Sequence, residues 1–111
     1  VGDLTALRDF SDARDIVRAY WLAANKCEYG EVYNICSERV WTIQSVLDLL
    51  LGMSSLRNIQ VKQEPSRMRP SDVHVLQGDC SKFKKQTGWK AEIPFEQTMQ
   101  DLLNYWRQCL K

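Results

Sequence analysis

Glu31-Val-Tyr-Asn-Ile-Cys-Ser37 is the stretch on which the fold class turns. Its residues are β-prone, and Val32, Tyr33, Ile35 and Cys36 fall on both faces of an extended chain. That pattern predicts a strand covered on both sides, as in a sheet flanked by helices. Helical signals lie on either side of it. Upstream, Ser11 is a good N-cap and Asp12 and Asp15 suit a first turn. Ala13, Ile16, Val17, Tyr20 and Ala24 then recur at helical spacing, with Trp21 widening the face, so a helix is predicted over 11–26. Downstream, Thr42 can cap a second helix whose apolar stripe is Ile43, Val46, Leu47, Leu50 and Leu51, with Gly52 at its end.

The same alternation continues outward. Leu4–Phe10 reads as a short extended segment. Asn58–Gln63 alternates, with Ile59 and Val61 on one face and Gln60 and Lys62 on the other, and predicts a half-buried strand. Val73–Leu76 is another extended run. Asp79 suits the cap of a short helix, Cys80 to Thr87, stopped by Gly88. Pro94 fits the first turn of a last helix with Phe95, Met99, Leu102, Leu103, Trp106 and Leu110 as its core stripe. Strands alternating with helices predict an α/β domain of few short strands with about four helices. The 111 residues suffice for one such domain, 1–111.

Composition narrows the function. Hydrophobic residues make up 44% and charged residues 26%, ordinary for a soluble globular chain. A net charge of +1 argues against a nucleic-acid partner, which selects a strong basic excess. No apolar run approaches the length of a membrane span. Cys27, Cys36, Cys80 and Cys109 show no CxxC spacing and do not cluster in sequence with the single histidine, His74. No metal site is therefore expected, and the cysteines read as reduced thiols of a cytoplasmic protein. The start, Val1-Gly-Asp-Leu4, is not a signal peptide and carries no initiator Met, so a piece of a longer protein is expected.

Two of the three prolines frame Glu64-Pro-Ser-Arg-Met-Arg-Pro-Ser-Asp-Val73. Pro65 and Pro70 lack a backbone N–H and have fixed φ, so the segment predicts an ordered loop presenting Arg67 and Arg69, with Asp72 close behind. Guanidinium groups suit phosphate oxygens, and a carboxylate accepts from paired sugar hydroxyls. The plainer reading is an exposed polar connection with solvated arginines.

Catalytic motifs are absent. The five glycines are too scattered for a dinucleotide or P-loop turn, and there is no Gly-x-Ser-x-Gly elbow. His74, between Val73 and Val75, reads as a polar strand position. Asp9, Asp12 and Asp15 recur every third residue, which suits helix capping and dipole compensation better than a metal cluster. No catalytic residue is assigned.

Taken together, Leu7-Arg-Asp-Phe-Ser-Asp-Ala-Arg-Asp-Ile-Val-Arg-Ala-Tyr20, Gly30–Ser37, Arg69-Pro-Ser-Asp-Val73, Gly78-Asp79, Ser81-Lys82, Thr87-Gly-Trp89 and Ile93-Pro-Phe-Glu-Gln-Thr98 resemble a known family. They are similar to the C-terminal part of extended short-chain dehydrogenases/reductases acting on nucleotide sugars. Within these they resemble the GDP-mannose 4,6-dehydratase and GDP-4-dehydro-6-deoxymannose reductase group. The resemblance implies a small C-terminal substrate-binding domain. Arg8 would reach the nucleotide or diphosphate, Arg69 would bind the diphosphate, Pro70 and Ser71 would shape the loop, and Asp72 would accept from the ribose hydroxyls. Arg67 has no role in that scheme.

The family's Gly-rich NAD(P) turn and its Tyr-x-x-x-Lys pair do not occur here. The resemblance therefore implies no cofactor in this chain, an NAD(P)-binding Rossmann domain elsewhere in the full-length enzyme, and an isolated chain that binds GDP-sugar without catalysis. Where the family usually has Ser-Gly after the strand, this chain has Ser37-Glu38, which puts the tight turn in doubt. A second expectation is an α/β interaction module that self-associates into a homo-oligomer through apolar faces.

Overall fold

In the computed structural model, which describes residues 1–70 and 73–111, the elements that organise the chain are held by three carboxylates. Strand β1 (Leu7–Asp9) leads into helix α1 (Ala13–Lys26); β2 (Val40–Thr42) runs directly into α2 (Ile43–Gly52). A single 3₁₀ turn at Pro65–Arg67 precedes β3 (Val75–Leu76), followed by α3 (Ser81–Thr87) and α4 (Phe95–Cys109). The sheet order is β2-β1-β3. β1 is antiparallel to β2 (Leu7 opposite Thr42, Asp9 opposite Val40) and parallel to β3 (Leu7 opposite Val75, Arg8 opposite Leu76). This is the small α/β arrangement read from the sequence.

Local signals explain most element ends. Thr42 caps α2, its Oγ1 accepting from Ser45 N–H at 3.0 Å. The next two orphan donors of that helix, Ile43 and Gln44 N–H, are taken by the carbonyls of Ala6 and Leu4 at 3.0 and 2.9 Å. Gly88, at φ 72°, gives α3 its left-handed stop. The cap of α1 is Asp12, not Ser11: its Oδ1 accepts from Arg14 N–H at 2.8 Å. Asp79 sits one residue before the cap of α3, accepting from Ser81 N–H at 2.9 Å. Pro94 is the N-cap of α4 rather than its first residue.

The core is formed by Ala19, Cys80, Phe83 and Trp89, with Leu22, Ala23, Tyr33, Ile35 and Cys36 packed against it. Trp89 is held by its indole N–H, which donates to the Asp15 carbonyl at 3.1 Å. The Asp9–Asp12–Asp15 series is not dipole compensation alone; each carboxylate ties a different segment. Asp9 accepts from Ser37 N–H (2.9 Å) and Glu38 N–H (2.8 Å). Asp12 accepts from the Thr98 hydroxyl of α4 (2.6 Å). Asp15, 2% exposed, accepts from Ile93 N–H (3.1 Å) and Glu92 N–H (3.2 Å).

Four expectations are corrected. Residues 31–37 run without a ladder: no described segment pairs with them, and Val32 is exposed while Tyr33, Ile35 and Cys36 pack inward. Residues 58–63 likewise form no strand: among the described residues their one backbone-to-backbone hydrogen bond is from Val1 to the Lys62 carbonyl. Helix α1 buries Asp15 and Ala19, with Leu22 and Ala23 beside them, while Val17, Tyr20 and Trp21 of the predicted stripe face outward. This helix is apolar on two sides, and the core uses the side of smaller residues. The stripe of α4 is buried at Phe95 and Met99 but exposed at Leu102, Trp106 and Leu110. The molecule is correspondingly slab-like, 51 × 36 × 19 Å, with a radius of gyration of 17.0 Å. A compact domain of this length has about 13 Å.

Candidate functional site

The arginine loop is anchored at both ends to the first residues of the chain. At its start, the Val1 backbone nitrogen donates to the Lys62 carbonyl at 2.9 Å and Glu64 N–H donates to the Val1 carbonyl at 2.8 Å. Gly2 lies against the Arg67 backbone; a Cβ there would be 2.9 Å from the Arg67 carbonyl oxygen. Pro65 opens the 3₁₀ turn, closed by Arg67 N–H to the Glu64 carbonyl (3.0 Å) and Met68 N–H to the Pro65 carbonyl (3.1 Å). At its far end, Leu7 N–H donates to the His74 carbonyl at 2.8 Å, which delivers the chain into β3 alongside β1.

That register brings Arg8 to the loop. Arg8 is half-buried on β1, and its Nη1 donates to the Leu7 carbonyl at 2.8 Å and to the His74 carbonyl at 3.4 Å. Arg69 and Pro70 are exposed, and Arg69 makes no hydrogen bond or ion pair with any described residue. Its guanidinium keeps all its donors for a ligand or solvent. Ser71 and Asp72 lie outside the described residues. Asp3 stands near this cationic end. Its carboxyl is held below the usual range, first by the Thr5 hydroxyl (2.7 Å) and Thr5 N–H (2.8 Å), then by His74 and Arg8.

A separate cleft lies elsewhere. It has a volume of about 620 Å³ and is lined by Phe10, Asp12, Glu38, Arg39, Trp41 and Phe95 among others; neither Arg8, Arg69 nor Pro70 reaches it. Trp41 stacks on Phe95 there at 4.4 Å. The structure also gathers Cys36, Glu38 and Cys80, whose ligand atoms all lie within 4.8 Å of one another. No sequence spacing announces this group, because Cys36 and Cys80 are separated by 44 positions.

A model of the GDP-mannose 4,6 dehydratase family matches residues 1–102. The chain belongs to that family. The match agrees with the resemblance carried by the sequence motifs. GDP-6-deoxy-D-mannose reductase of Pseudomonas aeruginosa is 33% identical over 111 residues, which is all of this chain and 36% of the relative. GDP-mannose 4,6 dehydratase 2 of Arabidopsis thaliana is 33% identical over 105 residues, 94% of this chain and 28% of the relative. The solved structure of RMD from Pseudomonas aeruginosa complexed with NADPH superposes with a TM-score of 0.90 at 30% identity, covering 98% of this chain and 35% of that one. The chain thus spans about a third of the length of the relatives it matches, and what it matches is their C-terminal part.

Two of the strand-to-helix junctions lack the glycine of a dinucleotide-binding turn, while the β3–α3 connection holds Gly78. The β1–α1 turn is Phe10-Ser11-Asp12, β2 enters α2 with no intervening residue, and neither junction holds a glycine. A pyrophosphate needs glycine at such a junction for close backbone approach.

Proposed function

We propose that this chain is the nucleotide-sugar-holding portion of a GDP-mannose 4,6-dehydratase- or GDP-4-dehydro-6-deoxymannose reductase-type enzyme. The observation that carries the reading is the loop itself: it is anchored at both ends, meets Arg8 at its exit and presents Arg69 with its donors uncommitted. A guanidinium already fixed on a strand and a second one on a braced loop suit two oxygens of a diphosphate. In this scheme Arg8 and Arg69 clamp the diphosphate, Pro70 and Ser71 shape the loop, and Asp72 accepts from the ribose hydroxyls. Binding of the remote nucleotide would orient the hexose for chemistry performed by the NAD(P)-binding Rossmann domain of the full enzyme. The domain 1–111 holds substrate and carries out no reaction alone. We place the enzyme in the cytoplasm, a reading supported by four free thiols. No described helix is long and apolar enough to cross a membrane.

The test is calorimetric binding of GDP-mannose to the chain and to Arg69→Ala. One charge-assisted hydrogen-bonding group contributes about 1.5–3 kcal/mol, so affinity falls about 10- to 100-fold. Stability stays within about 0.5 kcal/mol, because Arg69 is exposed and makes no hydrogen bond or ion pair with any described residue. Equal affinity in the two chains removes Arg69 from the site.

A second reading, a self-associating module, is favoured by the outward apolar residues Val17, Tyr20 and Trp21 at 62%, 64% and 72% exposure. These faces would meet either the Rossmann domain or another copy.

A further inference from the structure

The sheet register and the packing of α3 bring Cys36, Glu38 and Cys80 into one cluster, with thiol sulfurs and a carboxylate oxygen all within 4.8 Å of one another. We propose that these three side chains form a binding site for a thiophilic divalent cation of the zinc class.

Three observations carry this. The first is spacing. Tetrahedral zinc with sulfur ligands at about 2.3 Å and a carboxylate oxygen near 2.1 Å separates its ligand atoms by about 3.5–3.8 Å. The Cys80 sulfur is already 3.0 Å from Glu38 Oε1, so closing the cluster around an ion requires shifts of about 1 Å or less in side chains.

The second is the division of labour on Glu38. Oε1 faces the Cys80 thiol, whereas Oε2 holds Lys84 Nζ at 3.2 Å. Oε1 also accepts from the Cys80 backbone N–H at 2.9 Å, which fixes the carboxylate at the cluster, and Oε2 is oriented from outside by the half-exposed Lys84 ammonium. This is the outer-shell support that metal-bound carboxylates use.

The third is backbone geometry. Glu38 sits at φ 62°, in the left-handed region that favours glycine. The tight turn thus forms despite the side chain. It is clamped by Asp9 Oδ2, which accepts from Glu38 N–H at 2.8 Å, and by Gln77 Nε2, which donates to the Glu38 carbonyl at 2.8 Å. A strained residue held by its neighbours and aiming a carboxylate at two thiols is a built arrangement.

Gly78 packs directly on the cluster. A Cβ at Gly78 would lie 2.5 Å from the Cys36 sulfur, and of the three ligands Glu38 also lines an open recess with Gln77, Gly78 and Asp79. Without metal the thiols hold their protons. An ordinary cysteine thiol is mostly protonated at neutral pH. Binding therefore replaces two S–H bonds by two metal–sulfur bonds and releases two protons, with no change of oxidation state. Three protein ligands leave one position for water.

The experiment adds Zn²⁺ alone to the reduced chain, in competition with a chromophoric chelator, and repeats it with Cd²⁺ to read the thiolate-to-metal ultraviolet band. A background of Cys27→Ser with Cys109→Ser removes the other thiols. The expected result is one ion per chain, retained in that background, with two protons released and two thiols protected from alkylation. Cys36→Ser weakens binding by about 100-fold. Glu38→Gln, which leaves both cysteines in place, weakens it by about 10-fold or more. Circular dichroism checks that both variants keep their helices. Three results overturn the site: no uptake by the folded reduced chain, uptake unchanged in Cys36→Ser, or uptake lost in the Cys27/Cys109 background.

Discussion

Replacing Asp12 by alanine tests how the helices around the site are held. Asp12 is 8% exposed, caps α1 and reaches α4 through the Thr98 hydroxyl at 2.6 Å. Loss of an N-cap costs about 1 kcal/mol. Loss of the charge-assisted hydrogen bond to the half-buried Thr98 costs about 1–2 kcal/mol. The Arg14 guanidinium also pairs with Asp12 at 2.9 Å but faces solvent, so its share is small. The expected loss is about 2–3 kcal/mol at pH 7, read by urea unfolding followed through buried Trp89.

The same change carries a pH signature. Arg14 first, with Thr98 and Arg14 N–H, holds the Asp12 carboxyl well below its ordinary value of 3.8. A depressed folded-state value means that the unfolded chain binds more protons in that window. The contribution is therefore complete above pH 3.8 and is lost as the pH falls below it. The difference between the parent chain and Asp12→Ala shrinks toward acid. A loss under about 0.5 kcal/mol at pH 7, or one that does not change down to pH 3, refutes the reasoning.

Two further substitutions probe packing and surface. Gly78→Ala places a Cβ 2.7 Å from the Cys36 Cβ and 2.5 Å from its sulfur, and costs about 1–3 kcal/mol in chemical denaturation; an unchanged midpoint contradicts the close approach. Val17→Lys with Trp21→Lys changes exposed positions only, so unfolding stays within about 0.5 kcal/mol while concentration-dependent association falls. Identical sedimentation of parent and variant shows that this face is not the contact.

What could be read from the sequence was local. Thr42 caps α2 because its hydroxyl meets an N–H three residues on, and Gly88 stops α3 because that position is left-handed; neither depends on distant chain. The α1 face was not legible, because Val17, Tyr20 and Trp21 are as apolar as the Ala19, Leu22 and Ala23 side that meets the core. Residues 31–37 have strand chemistry, yet a strand is a relation between two segments, and no described segment supplies the second. Of the candidate site, Arg8 and the arginine loop were visible as residue types, and the parallel pairing of β1 with β3 explains how they meet. The Cys36–Glu38–Cys80 group was invisible, since it exists only after α3 folds back on the turn at Glu38.

The central claim, that the braced arginine loop holds a GDP-sugar, is tested most directly by titrating the amide spectrum of the chain with GDP-mannose, using ADP-ribose as the control. The account predicts saturable shifts centred on Arg8 and residues 69–72 for the GDP-sugar only, absent in Arg69→Ala. A well-dispersed spectrum with no shifts, the same shifts with ADP-ribose, or shifts centred on the Trp41–Phe95 cleft would contradict it.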